Sequence, residues 1–144
     1  MTAPFGPTLR PAVSSDAAGL IELWQAAGLR VRRTSVADLA AELDRLGERE
    51  PRLALVLAEP GGLVGSLIGT FDGRRGWVNR LAVHPERQGR GLGRMLLGSF
   101  EDRLRELGCR KINLLVAADN AEVVEFYRAA GYDREEMLFL ERWL

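Results

Sequence analysis

Residues 83–97, Val-His-Pro-Glu-Arg-Gln-Gly-Arg-Gly-Leu-Gly-Arg-Met-Leu-Leu, constrain the fold more than any other stretch of this chain. Val78, Leu81, Ala82 and Val83 make an apolar run in front of it, and Pro85 stops that run because proline cannot donate to a ladder. Beyond the turn, Leu92, Leu96, Phe100, Leu104 and Leu107 recur at three- and four-residue steps, one face of a helix. Gly89, Gly91 and Gly93 sit at the junction, where missing side chains let a ligand approach the backbone. The free N–H groups of a helix start point into that space, and the helix dipole adds partial positive charge. With Arg87, Arg90 and Arg94 around it, the junction reads as an anion cradle sized for a pyrophosphate. A glycine-rich connection carrying solvated arginines has the same composition, so the rest of the chain must decide.

Two familiar phosphate loops are excluded. A P-loop needs Gly-Lys-Ser/Thr after its spacer, where this chain has Leu92-Gly93-Arg94. A dinucleotide fingerprint needs glycine three residues after Gly91, where this chain has Arg94. Twenty Lys and Arg residues balance twenty Asp and Glu residues, so no basic excess points to nucleic acid. Any partner must be recognised through a local site. Cys109 is the single cysteine, which rules out an intramolecular disulfide and a cysteine metal cluster, and no metal site is expected. Met1–Pro7 lacks the pattern of a signal peptide, and no apolar stretch is long enough to span a membrane. A cytoplasmic protein without membrane partners is the expectation.

Taken in order, residues 8–12 read as a short opening strand. Ser14, Ser15 and Asp16 offer N-cap oxygens for a helix carrying Leu20, Ile21, Leu23, Trp24 and Ala27, stopped by Gly28. A second helix from Ser35 presents Leu39, Leu43 and Leu46, with Gly47 as its stop. Residues 53–59 and 63–71 form a hairpin through Pro60-Gly61-Gly62, and Asp72–Gly76 turns the chain into a third antiparallel strand, 77–83. A helix over 91–107 ends at Gly108. Residues 111–116 then return parallel to the strand before the cradle, because a helix crosses over between them. Asp119 or Asn120 caps a helix with Val123, Val124, Phe126 and Tyr127, and Gly131 stops it. Tyr132 and residues 137–143 read as closing strands. No repeat or second domain is visible: 1–144 reads as one domain, with 1–7 a flexible N-terminus.

The resulting order, β-α-α-β-β-β-α-β-α-β-β, resembles the GNAT N-acetyltransferases along essentially the whole chain, small bacterial members of the YpeA type most of all. The likeness rests on Asp72-Gly73-x-Arg75-Gly76, on Val83-His84-Pro85-Glu86-x-x-Gly89-Arg90-Gly91 with Gln88 and Gly93, and on Asp119-Asn120 followed by Tyr127. It implies an α+β fold, a three-layer α/β sandwich whose mixed, mostly antiparallel sheet contains a splayed parallel central pair. It also implies acetyl-CoA as cosubstrate. Pantetheine would pair with the backbone of Leu81, Ala82 and Val83 like an added strand. Gln88, Gly89, Arg90, Gly91, Leu92, Gly93 and Arg94 would surround the pyrophosphate. Micromolar binding is worth about 8 kcal/mol and a helix dipole at most about 2, so several N–H groups and arginine charge must act together.

For the chemistry, the resemblance places Tyr127 as general acid to the departing thiolate and the Val83 N–H on the oxyanion. Asn120 would contact the cofactor arm, although helix capping explains its type equally well. Family members often carry a glutamate base on the strand before the cradle, but residues 77–83 hold no carboxylate. Glu59, Asp72 and Asp119 are the possible substitutes, and the base stays open. His84, the single histidine, reads as a capping residue, and Arg74 and Arg75 read as a solvated hairpin tip. Without a Cys or Ser-His relay, direct transfer in a ternary complex is expected. The acceptor is an amine of a small molecule, an amino acid or a protein N-terminus, and residues 29–34 would influence its choice. The rival reading is a non-catalytic acyl-CoA-binding sensor. The apolar end, Met137–Leu144, offers a pairing edge for a homodimer.

Overall fold

The computed structural model describes residues 6–31 and 34–144, which fall into two compact units, Met1–Leu114 and Leu115–Leu144. The first unit is a sheet in the order β1-β2-β3-β4-β5. Its strands are β1 (Thr8–Pro11), β2 (Ala54–Glu59), β3 (Gly62–Phe71), β4 (Gly76–Val83) and β5 (Ile112–Leu114). The first four pair antiparallel, and β4 pairs parallel with β5 over Gly76–Val78 and Ile112–Leu114. Helices α1 (Ala17–Ala26), α2 (Val36–Arg49) and α3 (Leu92–Glu106) complete it.

Alternation along the strands sorts the core onto two faces. Ala54, Val56, Ile68 and Ala82 join Leu20, Leu23 and Trp24 of α1 and Leu39 and Leu43 of α2 in one buried cluster. The opposite face is made flat for α3. A Cβ added at Gly65 would lie 3.2 Å from Leu96, one at Gly69 2.2 Å from Phe100, and one at Gly76 2.4 Å from Leu104. Glycine is therefore what lets this helix lie close on β3 and β4. Helices on both faces of one sheet are the three layers that the resemblance implied.

Local chemistry explains most boundaries. The Ser35 hydroxyl accepts from the Asp38 N–H at 3.0 Å, an N-cap. Gly28 and Gly108 follow α1 and α3 with φ of 79° and 83°, the left-handed conformation of a helix stop. Gly47 does not stop α2, which runs on to Arg49 before Pro51 ends it. A glycine inside a helix weakens it by only about 1 kcal/mol, less than the packing of the buried Leu39 and Leu43 contributes.

Two ion pairs close the first unit. Arg10 grips Asp16 through two hydrogen bonds of 2.8 Å, and Asp16 also accepts from the Val13 N–H. Arg103 of α3 holds Glu50, just past α2, at 2.9 and 2.6 Å. The guanidinium hydrogen bonds hold both carboxyls below their ordinary range. Their folded values lie below the unfolded ones, so their contribution is complete above about pH 4 to 5 and is lost as the pH falls through the folded values. The midpoint of urea unfolding is expected to drop between pH 5 and pH 3, and Asp16→Asn to flatten that drop.

The second unit holds α4 (Ala121–Ala129), capped by Asn120, whose side chain accepts from the Val123 N–H at 3.3 Å. Gly131 follows with φ of 96°. The expected closing strands are absent: residues 132–144 form no strand, and Leu138 and Leu140 are 92% and 87% exposed. Apolar, β-prone composition makes a strand only where a second strand takes up its N–H and C=O groups, and no pairing to this segment exists among the described residues.

Candidate active site

The stretch read as a cradle is a glycine-built turn that leads from the end of β4 into α3. His84 caps a short 3-10 turn, Pro85–Arg87, its Nδ1 accepting from the Glu86 N–H at 3.1 Å. Gly89 and Gly91 both have φ of 78°, and a Cβ on either would meet nothing within 4 Å. The backbone therefore turns in a conformation that favours glycine and presents an open face. Gly91 is the N-cap of α3 and has no side chain to satisfy the first helical N–H groups, those of Leu92, Gly93 and Arg94. Leu92 is buried, which anchors this turn against the core, while Arg90 and Arg94 are exposed at its rim.

Arg87 does not join the rim. Its guanidinium makes two 2.9 Å hydrogen bonds to Glu59 at the end of β2, and this partner holds the Glu59 carboxyl below its usual range. The same contact removes Glu59 from the candidate bases, since a bridged carboxylate is a poor proton acceptor. Asp72 is occupied as well: it accepts from the N–H groups of Arg74 and Arg75 at 2.8 and 2.7 Å and is likewise depressed. Asp72 is a turn residue, and Trp77 adds a 3.4 Å contact to it through Nε1.

The register of β4 separates the three residues expected to pair with a ligand's backbone. His84 donates its N–H to the Val64 carbonyl at 2.8 Å, and Gly65 lies opposite Val83. Gly65 and Val83 are thus a pair without mutual hydrogen bonds, so Ser66–Ala82 is bonded and Leu67–Leu81 is not. The N–H and C=O groups of Leu81 and Val83 point away from β3, while those of Ala82 belong to the ladder. On the far side, β5 pairs with β4 only as far as Val78. No strand takes up Leu81 or Val83 among the described residues, which is the splay that an extended ligand arm requires. The Gln88 side-chain amide donates to the Val83 carbonyl at 3.2 Å, tying the cradle to the strand end.

A bulge in β4 leaves no mark in the sequence pattern. Ile68 faces Arg80 but Gly69 faces Val78, so Asn79 is an extra residue. Without it, Val78 and Arg80 would share the α3 face. With it, Arg80 turns to the α1 face, where its guanidinium carbon lies 4.4 Å from the centre of the Trp24 ring. Alternation of a single strand carries no trace of this shift.

In the second unit, Tyr127 is 7% exposed and packs edge-on against Phe126 and Tyr132, with ring centres at 5.2 and 5.4 Å. Burial pushes its phenol up to about 12. Asn120 is engaged as the cap of α4, and Asp119 is exposed. Arg32 and Arg33, within the 29–34 stretch expected to influence acceptor choice, lie outside the described residues, as do residues 1–5 of the expected flexible N-terminus. No group of three or more His, Cys, Asp or Glu side chains suited to a metal, and no helix long and apolar enough to cross a membrane, occurs among the described residues.

Residues 18–132 match the model of the acetyltransferase (GNAT) family. An acetyltransferase of Yersinia enterocolitica is 34% identical over 130 residues, 90% of each chain. The PaiA N-acetyltransferase of Thermoplasma acidophilum, solved in complex with coenzyme A, has the same fold, with a TM-score of 0.78 and 21% identity over 92% of this chain and 93% of its own. YncA of Salmonella typhimurium, solved with acetyl-CoA, is similar at a TM-score of 0.72 and 26% identity, covering 87% of this chain and 78% of its own.

Proposed function

The chain belongs to the GNAT acetyltransferase family, and from that premise we propose that it moves the acetyl group of acetyl-CoA to an α-amine by direct attack in a ternary complex. The observation that carries this is the pairing of an open, glycine-built helix start with a strand whose Leu81 and Val83 backbone groups face away from β3 and are taken up by no other strand among the described residues. The first supplies N–H groups to a pyrophosphate, and the second offers an extended arm a ladder to join. In this reading the Val83 N–H faces the developing oxyanion, and Tyr127 donates to the departing sulfur. The family match spans both units, in keeping with a single domain over 1–144, and a cytoplasmic setting suits a cosubstrate made there.

The lack of a strand carboxylate supports the α-amine. With Glu59 and Asp72 engaged, no protein base on these strands is ready to strip an ammonium. A peptide α-amine, with a pKa near 8, is roughly a quarter neutral at physiological pH, whereas a lysine amine is about 0.1% neutral. The first can attack without a strong base; the second needs one. The test is release of CoA thiol from acetyl-CoA with N-terminal peptides and with peptides whose amine is on lysine alone. Turnover is expected with the first group. Turnover confined to lysine amines overturns the α-amine assignment, and acetyl-CoA binding without any turnover favours the sensor.

The cradle has its own test. Gly91→Ala is expected to weaken acetyl-CoA at least tenfold, because the new methyl group strains a φ of 78° and fills the open face. Gly73→Ala is the control: its φ is 92° at a hairpin tip with equal room. Similar losses of melting temperature with loss of affinity in Gly91→Ala alone identify the cradle.

A further inference from the structure

We infer that Arg80 is a recognition residue for a carboxylate on the acceptor. This rests on the transferase reading and narrows its substrate class to amines that carry a nearby negative charge. Arg10, Arg87 and Arg103, three partly buried arginines of the first unit, each grip a carboxylate through two hydrogen bonds. Arg80 is partly buried too, yet its Nη1 is enclosed and has no hydrogen-bond partner, and no ion pair to it exists among the described residues.

Its guanidinium lies over the face of Trp24, whose own Nε1 donates to the buried Ser66 hydroxyl at 2.9 Å. That bond orients the ring, and the ring orients the guanidinium. An enclosed donor left without an acceptor is a costly arrangement, of the kind found where a ligand completes the set. The bulge at Asn79 is what produces it, by turning Arg80 off the α3 face and onto that of Trp24. Bulges re-aim side chains in this way beside sites.

The position suits an acceptor. Arg80 immediately precedes Leu81, the first of the two β4 residues whose backbone faces the proposed acyl arm, and Val83 lies about 10 Å farther along the strand. An arm that enters from the cradle passes Val83 before Leu81 and so leads toward the bulge. A guanidinium recognises a carboxylate through parallel N–H bonds, and two sources present that chemistry: an acidic side chain beside the amine, or the α-carboxylate of a small amine.

The experiment measures binding of acetylated products to CoA-loaded protein by calorimetry, which removes differences in amine pKa. N-acetylglutamate amide is compared with N-acetylglutamine amide, and N-acetylalanine with N-acetylalanine amide. In wild type, the acid of one pair is expected to bind about 10- to 100-fold tighter than its neutral partner, and which pair does so identifies the source. Arg80→Gln is expected to bring acid and neutral forms level while CoA affinity holds, and Arg80→Lys to recover part of the difference. A merely structural role would weaken acid and neutral forms alike. Equal affinity within both pairs in wild type overturns the inference whatever the variants do. Wild-type protein that does not bind CoA overturns the transferase reading and this inference together.

Discussion

Tyr127→Phe is expected to lower kcat about 100-fold, the lower end of the range for loss of a positioned general acid, with acetyl-CoA affinity nearly unchanged. The phenylalanine ring keeps the edge-on contacts to Phe126 and Tyr132, so what is lost is the hydroxyl. The departing thiolate has a pKa near 8.5, and burial has pushed the phenol up to about 12. Full proton transfer from this phenol to free thiolate is then uphill by roughly 5 kcal/mol, against about 2 for an ordinary tyrosine. The hydroxyl therefore acts chiefly as a hydrogen-bond donor to sulfur as negative charge grows, and the released thiolate takes its proton from water while Tyr127 keeps its own. The raised value makes a second expectation. Tyr127 stays protonated well above pH 10, so the kcat profile should show no fall between pH 8 and 10 from its ionisation. Turnover by Tyr127→Phe equal to wild type removes Tyr127 from the mechanism, and a wild-type decline centred near pH 10 contradicts a buried phenol.

The largest effect on folding is expected at Gly69→Val, a loss of about 3 kcal/mol or more by urea denaturation. Even the first atom of a side chain there would lie 2.2 and 2.6 Å from the Phe100 ring and 2.9 Å from the Trp77 carbonyl. Phe100 is fully buried, and the carbonyl belongs to the neighbouring strand, so neither has open space to move into. Relief must come from lifting α3 off the sheet. Because the first turn of α3 is the floor of the cradle, acetyl-CoA affinity should fall with stability. Phe100→Leu added to Gly69→Val should recover part of the loss, giving a coupling of about 1 kcal/mol or more in a double-mutant cycle. Strict additivity would show that the ring is not the obstacle.

Much of this was written in neighbouring residues. The glycines at 28, 89, 91, 108 and 131 take positive φ because turns and helix stops need a residue without Cβ, a requirement of the local backbone alone. Ser35 and Asn120 cap helices because the oxygen of a short side chain reaches the N–H three residues on. Leucines at helical spacing likewise state which helix faces go inward. These signals sufficed to carry the resemblance to the family, and through it the layers of the sandwich, since the motifs depend on a few adjacent residues.

Other features depend on a partner from far along the chain, and adjacency cannot specify a partner. Arg87 looks like a cradle arginine until Glu59, 28 residues away, takes it up. Asn79 looks like an ordinary strand residue until the register against β3 leaves it over and sends Arg80 to Trp24. Residues 137–143 have the composition of a strand yet form none, because a ladder needs a second edge. Periodicity and turn chemistry thus set the elements and the glycine turn that leads into α3. The packing of distant segments decided which charges are spent within the protein and which, Arg80 foremost, are left to meet a substrate.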